Sequence, residues 1–196
     1  GDFSRRAYDK EESKQKRMRF VDPGEPGESL RPILDEMVAK VKQGGFFVPS
    51  FSAVIKHMIK EKIPFRIYFR TFGTDLPEVV EHFNRLCHEL GADDHAIVDE
   101  SIGTFERSKE EDQLHFPQRS LSGLHEISEH FRKNTSNLAI RDHYEFWAGA
   151  DEHREHGKLL LVDPNERHVF FDDNAHGKNP RNNIVDVRMQ NNDGIW

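Results

Sequence analysis

Two short apolar runs in this chain end abruptly in polar residues, and together they limit its fold more than any other feature. FRIYFR, residues 65–70, runs into TFGTD at 71–75, and HVFF, residues 168–171, runs into Asp172, Asp173 and Asn174. Phe65, Ile67 and Phe69 alternate with Arg66, Tyr68 and Arg70, the period of a strand. Val169, Phe170 and Phe171 make a shorter β-type run. A strand that stops at a hydroxyl or a carboxylate delivers that group to the end of a sheet. Open α/β sheets bind their ligands beyond the carboxyl ends of their strands.

The segments between these runs alternate in type. Ser29 has the character of an N-cap, with Leu30, Ile33, Leu34, Met37, Val38 and Val41 at helical spacing before Gly44-Gly45. A second helix follows Pro49-Ser50, with Phe51, Val54, Ile55, Met58 and Ile59 on one face. After the strand at 65–70, Asp75 and Glu78 have capping-box spacing and Pro77 suits a first turn. Val79, Val80, Phe83, Leu86, Cys87 and Leu90 form the stripe of that helix, and Gly91 ends it. AIVDESIGTF suggests a strand or hairpin, and SKEEDQLHFPQRS an exposed loop. A helix is expected over Leu121–Lys133 with Leu124, Ile127 and Phe131 inward. NLAIRDHYEFW begins extended and is expected to continue as a helix to Gly157. KLLLV at 158–162 and IVDVR at 184–188 read as strands, and DPNER as a turn. The expected architecture is α/β, a Rossmann-like, open, mostly parallel sheet flanked by helices. Residues 1–28 are charge-dense and read as loosely structured, and 29–196 as one domain with an insertion around 92–135.

The 196 residues suffice for a real core. The net charge of −7 argues against a general nucleic-acid or anionic-membrane surface. No apolar run approaches the roughly 20 residues of a membrane span. The single Cys87 excludes an intramolecular disulfide framework and fits a reducing, cytoplasmic setting. It lies on an apolar helix face and reads as a buried, inert thiol.

Asp172 and Asp173 at one strand tip repel each other and lose solvation. A divalent cation relieves both penalties, and oxygen-only ligation suits Mg²⁺. The bland alternative is that Asp172 caps a turn and Asp173 sits in water. Thr71 stands at the other strand tip and Lys158 lies between the two in sequence. Hydroxyl, ammonium and a metal-binding acid pair are the parts a phosphoryl group needs.

FRIYFR with Thr71, then Lys158, then HVFFDD resemble, in order and spacing, the second, third and fourth motifs of the haloacid dehalogenase-like hydrolases. The resemblance covers roughly residues 50–190. It implies a Mg²⁺-dependent phosphatase-type hydrolase acting on a small phosphorylated molecule. Asp172 and Asp173 would hold the metal, Thr71 would bind phosphoryl oxygens, and Lys158 would stabilise charge on the transferring group. That family's first motif, a strand followed by Asp-x-Asp-x-Thr, supplies the nucleophile. It is not found here, and is expected either to lie upstream of Gly1 or to be lost. The nearest candidate, Asp22 in FVDPGEP, is followed by Gly24 where the second acid belongs. The alternative is a catalytically silent relative that binds a phosphate compound or another protein.

Competing signals are weaker. Twelve histidines include His143, His153, His156, His168 and His176, but the HExxH spacing is absent. His153 and His156 read as neighbours on one solvated helix face. No GxSxG elbow or Gly-rich phosphate loop occurs. Trp147, Tyr144 and Phe146 read as a core plug, and Arg141 with Asp142 as an internal ion pair. The oligomeric state is left open by the sequence.

Overall fold

The computed structural model describes residues 19–43, 45–162, 167–172 and 184–189. The chain separates into two units, residues 1–55 and 56–196. In the first, a 3₁₀ turn at Glu28–Leu30 leads into α1 (Arg31–Gln43). Ser29 therefore lies inside that turn rather than capping the helix. Arg31 reaches back to Asp22 at 2.9 Å. The apolar stripe of α1 is largely open to solvent, with Ile33 56% and Met37 60% exposed. A second helix, α2 (Pro49–Lys60), crosses the division between the units.

The second unit is built on a five-stranded sheet. Its strands are β1 (Tyr68–Thr71), β2 (Ile102–Glu106), β3 (Gln113–Phe116), β4 (Arg119–Ser122) and β5 (Leu138–Arg141). Their order is β1-β5-β2-β3-β4. β1, β5 and β2 run parallel, whereas β2, β3 and β4 form an antiparallel meander. The sheet is mixed, not mostly parallel as the sequence suggested. The cause lies in the connections. Parallel neighbours need a crossover of a dozen or more residues. Phe116 pairs with Arg119 across Pro117 and Gln118 alone, which permits only a hairpin. The segment expected as an exposed loop thus supplies β3 and β4. Leu114, Phe116 and Leu121 alternate inward along them, a period hidden by the charged residues on either side. Residues 102–133 contribute three strands and a helix to this unit.

Helix α3 (Leu76–Glu89) covers one face of the sheet. Its buried stripe is Leu76, Val80, Phe83 and Cys87, and Phe83 meets Phe69 of β1 edge to face at 5.1 Å. Gly91, at φ +64°, lets the chain leave that helix in the left-handed region. Cys87 is buried, as expected, and burial with the nearby Asp93 and Asp94 pushes its thiol up to about 11. It is inert at neutral pH. On the other face, α4 (Gly123–Lys133) brings Ile127, Leu124 and Phe131 against the main core, as its spacing predicted. That core includes Phe105, Leu114, Leu138 and Ile140.

A separate parallel pair, β6 (Lys158–Val162) and β7 (Val185–Met189), completes the unit. Leu159 and Leu161 of β6 enter the same core. The expected helix to Gly157 does not persist. Helix α5 (Tyr144–Gly149) stops, and Asp151 and Glu152 adopt φ of 54° and 60°. Such left-handed residues cannot continue a right-handed helix. A 3₁₀ turn, Arg154–His156, then leads to Gly157, whose missing side chain leaves room for the Ile184 carbonyl. His153 and His156 are accordingly ends of a turn, not neighbours on a helix.

HVFF is the main departure from expectation. Residues 167–172 form no strand, and Val169 and Phe171 are 76% and 89% exposed. Among the described residues, no strand pairs with this segment. A lone extended segment gains nothing from β propensity. DPNER largely, with Asp173, Asn174 and His176, falls outside the described residues.

Candidate functional site

The C-terminal end of β1 collects three of the predicted residues. Lys158, the first residue of β6, is buried. Its Nζ donates to Asp172 Oδ2 at 2.8 Å and to the Arg70 carbonyl at 3.2 Å. Arg70 directly precedes Thr71, so the Lys158–Asp172 pair is bonded to the backbone one residue before the strand tip. Both members of the Lys158–Asp172 pair have side chains only 8% exposed. The ammonium also stands 5.5 Å from the centre of the Phe72 ring. Mutual attraction and the carbonyl offset the cost of burying this charge.

Thr71 shapes the loop that follows. Its hydroxyl donates to Asp75 Oδ1 at 3.0 Å and accepts from the Gly73 amide at 2.9 Å. Asp75 stands at the N-cap position of α3 but makes no side-chain cap bond there. The capping-box expectation is corrected for this reason: its carboxylate is directed to Thr71 instead. Phe72 stacks on Trp147 at 5.2 Å and meets Tyr144 edge to face. Trp147 is thus a packing residue, as expected, although its buried Nε1 has no hydrogen-bond partner among the described residues.

Two arginines with buried side chains, Arg70 at this strand end and Arg107 after β2, were not singled out as site residues. Arg70 lies on β1 with its side chain turned to the core, its guanidinium 4.7 Å over the Phe105 ring. It makes a bidentate pair with Asp142, with Nε to Oδ2 at 2.9 Å, and donates to the Leu159 carbonyl at 2.9 Å. The expected partnership of Asp142 with Arg141 is corrected: Thr71 pairs with Arg141 in the β1–β5 register, which places Asp142 just past the strand end. Arg107 follows β2 and ties Asp112 at 3.0 Å to Asp186 at 2.9 Å and the Gly157 carbonyl at 2.5 Å. An acid inside an apolar strand needs a partner. Asp186 in IVDVR was therefore the readable sign of this network.

Of the two acids expected to hold a metal, Asp172 is described and is bonded to Lys158, whereas Asp173 lies outside the described residues. Among the described residues, no three His, Cys, Asp or Glu side chains gather as a metal cage. Mg²⁺ does not demand one, because it keeps several waters and takes one or two carboxylates plus substrate phosphate. Asp22 belongs to the first unit and pairs with Arg31. Among the described residues, no helix is long and apolar enough to cross a membrane.

No family model, curated protein or solved structure matches this chain.

Proposed function

We propose that the tip of β1 is the phosphoryl-handling end of a Rossmann-like, haloacid dehalogenase-like phosphatase site for a small phosphorylated molecule. The observation that supports this reading is the Lys158–Asp172 pair bonded to the Arg70 carbonyl, one residue before Thr71 at the end of β1. Thr71, Lys158 and Asp172 are separated by 87 and 14 positions in sequence (158 − 71 and 172 − 158). Thr71 would turn its hydroxyl from Asp75 to a phosphoryl oxygen. Lys158 would stabilise charge that develops on the transferring group. Asp172, with Asp173, would hold Mg²⁺, which supplies charge neutralisation when bound.

A second reading is a silent relative that binds a phosphate compound without turnover. It is favoured by the engagement of each described carboxylate near this tip. Asp75 serves Thr71, Asp142 serves Arg70, and Asp172 serves Lys158. None is poised as a nucleophile.

Calorimetric titration with Mg²⁺ and then inorganic phosphate tests the shared part of both readings. Mg²⁺ binding is expected to vanish in Asp172→Asn, and phosphate binding to weaken about tenfold or more in Lys158→Met. Binding that survives both substitutions overturns the assignment of this tip. Hydrolysis of 4-nitrophenyl phosphate by the same protein separates the two readings. Turnover that disappears in Lys158→Met supports the enzyme, and its absence alongside intact binding supports the silent relative.

A further inference from the structure

The loop from β2 to β3 runs through residues 107–112, RSKEED in sequence. Its charges divide by side. Arg107 is only 5% exposed, and its guanidinium is spent inside on Asp112, Asp186 and the Gly157 carbonyl. Asp112 goes inward with it, its side chain 13% exposed. Ser108, Lys109, Glu110 and Glu111 stay on the surface. Among the described residues, neither Glu110 nor Glu111 has an ion-pair partner. A sequence of mixed charge therefore presents to solvent one hydroxyl and two unpaired carboxylates, with Lys109 as the one base beside them.

Ser108 is singular in the chain. It is the only Ser or Thr followed three residues later by an acid, and a second acid stands two residues on. Its Oγ accepts from the amides of Glu110 and Glu111 at 3.2 Å and 3.0 Å and donates to the Glu111 carbonyl at 2.9 Å. These bonds join neighbours on an exposed turn, each worth about 1 kcal/mol net. An enzyme that binds the loop can open them without disturbing a strand.

We propose that Ser108 is a phosphate-acceptor site for a protein kinase whose substrate groove is basic. The Ser108 Oγ would attack the γ-phosphorus of a nucleoside triphosphate. The bond formed is Oγ–P, and the bond broken joins that phosphorus to the bridging oxygen, which leaves with the nucleoside diphosphate. The hydroxyl proton passes to the kinase's own base. Glu110 and Glu111 would supply selectivity, because complementary charge decides which segment such a groove accepts. Arg107 would not oppose it, since its charge is turned away from the surface. The inference does not depend on the phosphoryl reading of the β1 tip.

The test is incubation of the full chain with a purified acid-directed serine/threonine kinase, Mg²⁺ and ATP, with the product mapped by fragmentation mass spectrometry. One phosphate is expected, on Ser108, and none in Ser108→Ala. Glu111→Lys reverses the charge three residues on and is expected to slow transfer at least tenfold. Lys109→Ala removes the opposing charge and is expected to speed it. A base-directed kinase is expected to act at least tenfold more slowly. The peptide of residues 104–113 serves as the control for access. Four outcomes overturn the proposal. They are phosphate placed elsewhere than Ser108, transfer indifferent to Glu111→Lys, equal transfer by the base-directed kinase, and transfer to the peptide but not to the folded chain.

Discussion

The segments 65–71 and 167–172 look alike as sequence: each is a short apolar run that ends in side chains suited to ligand binding. Their fates differ because their neighbours differ. The first is gripped from several directions. β5 pairs with it, Asn137 Oδ1 accepts from the Ile67 amide at 2.7 Å, and Arg66 donates to the carbonyls of Phe131 and Asn134 at 2.9 Å and 2.6 Å. Arg70 closes the grip through Asp142. The second segment has no ladder among the described residues, and Asp172 at its end is bonded to Lys158. β propensity is a preference for a half-buried, paired surface. Where no partner strand is present, the same residues stay in water.

The sharpest way to break this contrast is to attack the grip on β1. Asp142→Ala strands the Arg70 guanidinium in the core, and is expected to cost about 3–5 kcal/mol of stability, measured by urea unfolding. A loss below about 1 kcal/mol would mean that Arg70 reaches solvent and that β1 is held by its ladder alone. Asp172→Ala attacks the other segment. A smaller loss of about 1–3 kcal/mol is expected, because Lys158 keeps its bond to the Arg70 carbonyl. Hydrogen exchange should then quicken in residues 167–171 and leave β1 unchanged. Quickening in β1 as well would show that the Lys158 bridge steadies both regions.

His130 on α4 sharpens the comparison through pH. Burial first, and then the Arg119 charge, hold its imidazole down to about 4 from an ordinary 6.5. Arg119 donates to its Nδ1 at 2.9 Å, a bond that needs the neutral ring. Between those two values the unfolded chain takes up a proton that the folded chain refuses. Stability contributed by this group is therefore full above 6.5 and declines as pH falls toward 4. His130→Gln is expected to flatten that part of the stability–pH curve. An unchanged slope would place its origin in other groups. The smallest effect is expected at the loose segment itself. Phe171→Ser and Val169→Ser should each change stability by no more than about 0.5 kcal/mol. A larger loss would mean that these side chains are packed away in solution.

Much of the helical part of the fold was legible. The stripe Val80, Phe83 and Cys87 and the trio Leu124, Ile127 and Phe131 announced their buried faces by spacing alone, because a 3.6-residue period maps directly onto one side of a helix. KLLLV and IVDVR were legible as strands for their aliphatic runs. The meander was not. QLHF and RSLS are four-residue strands framed by charge, too short for alternation to stand out. Nor was the end of α5, because left-handed Asp151 and Glu152 leave little trace in residue type. At the site, the sequence named Thr71, Lys158 and Asp172 but missed the role of Arg70. An arginine in an alternating strand reads as solvent-facing until a buried acid from another strand is found beside it.

The sequence by itself determined which residues seek burial and which carry chemistry, since period and residue type are local properties. It also determined that Thr71 and Asp172 follow immediately on apolar runs. The tertiary structure decided which runs become strands, since a strand exists only through the groups of its neighbour. It alone decided that Lys158 lies between Asp172 and the Arg70 carbonyl, because that contact joins positions 88 residues apart, beyond the reach of any local pattern.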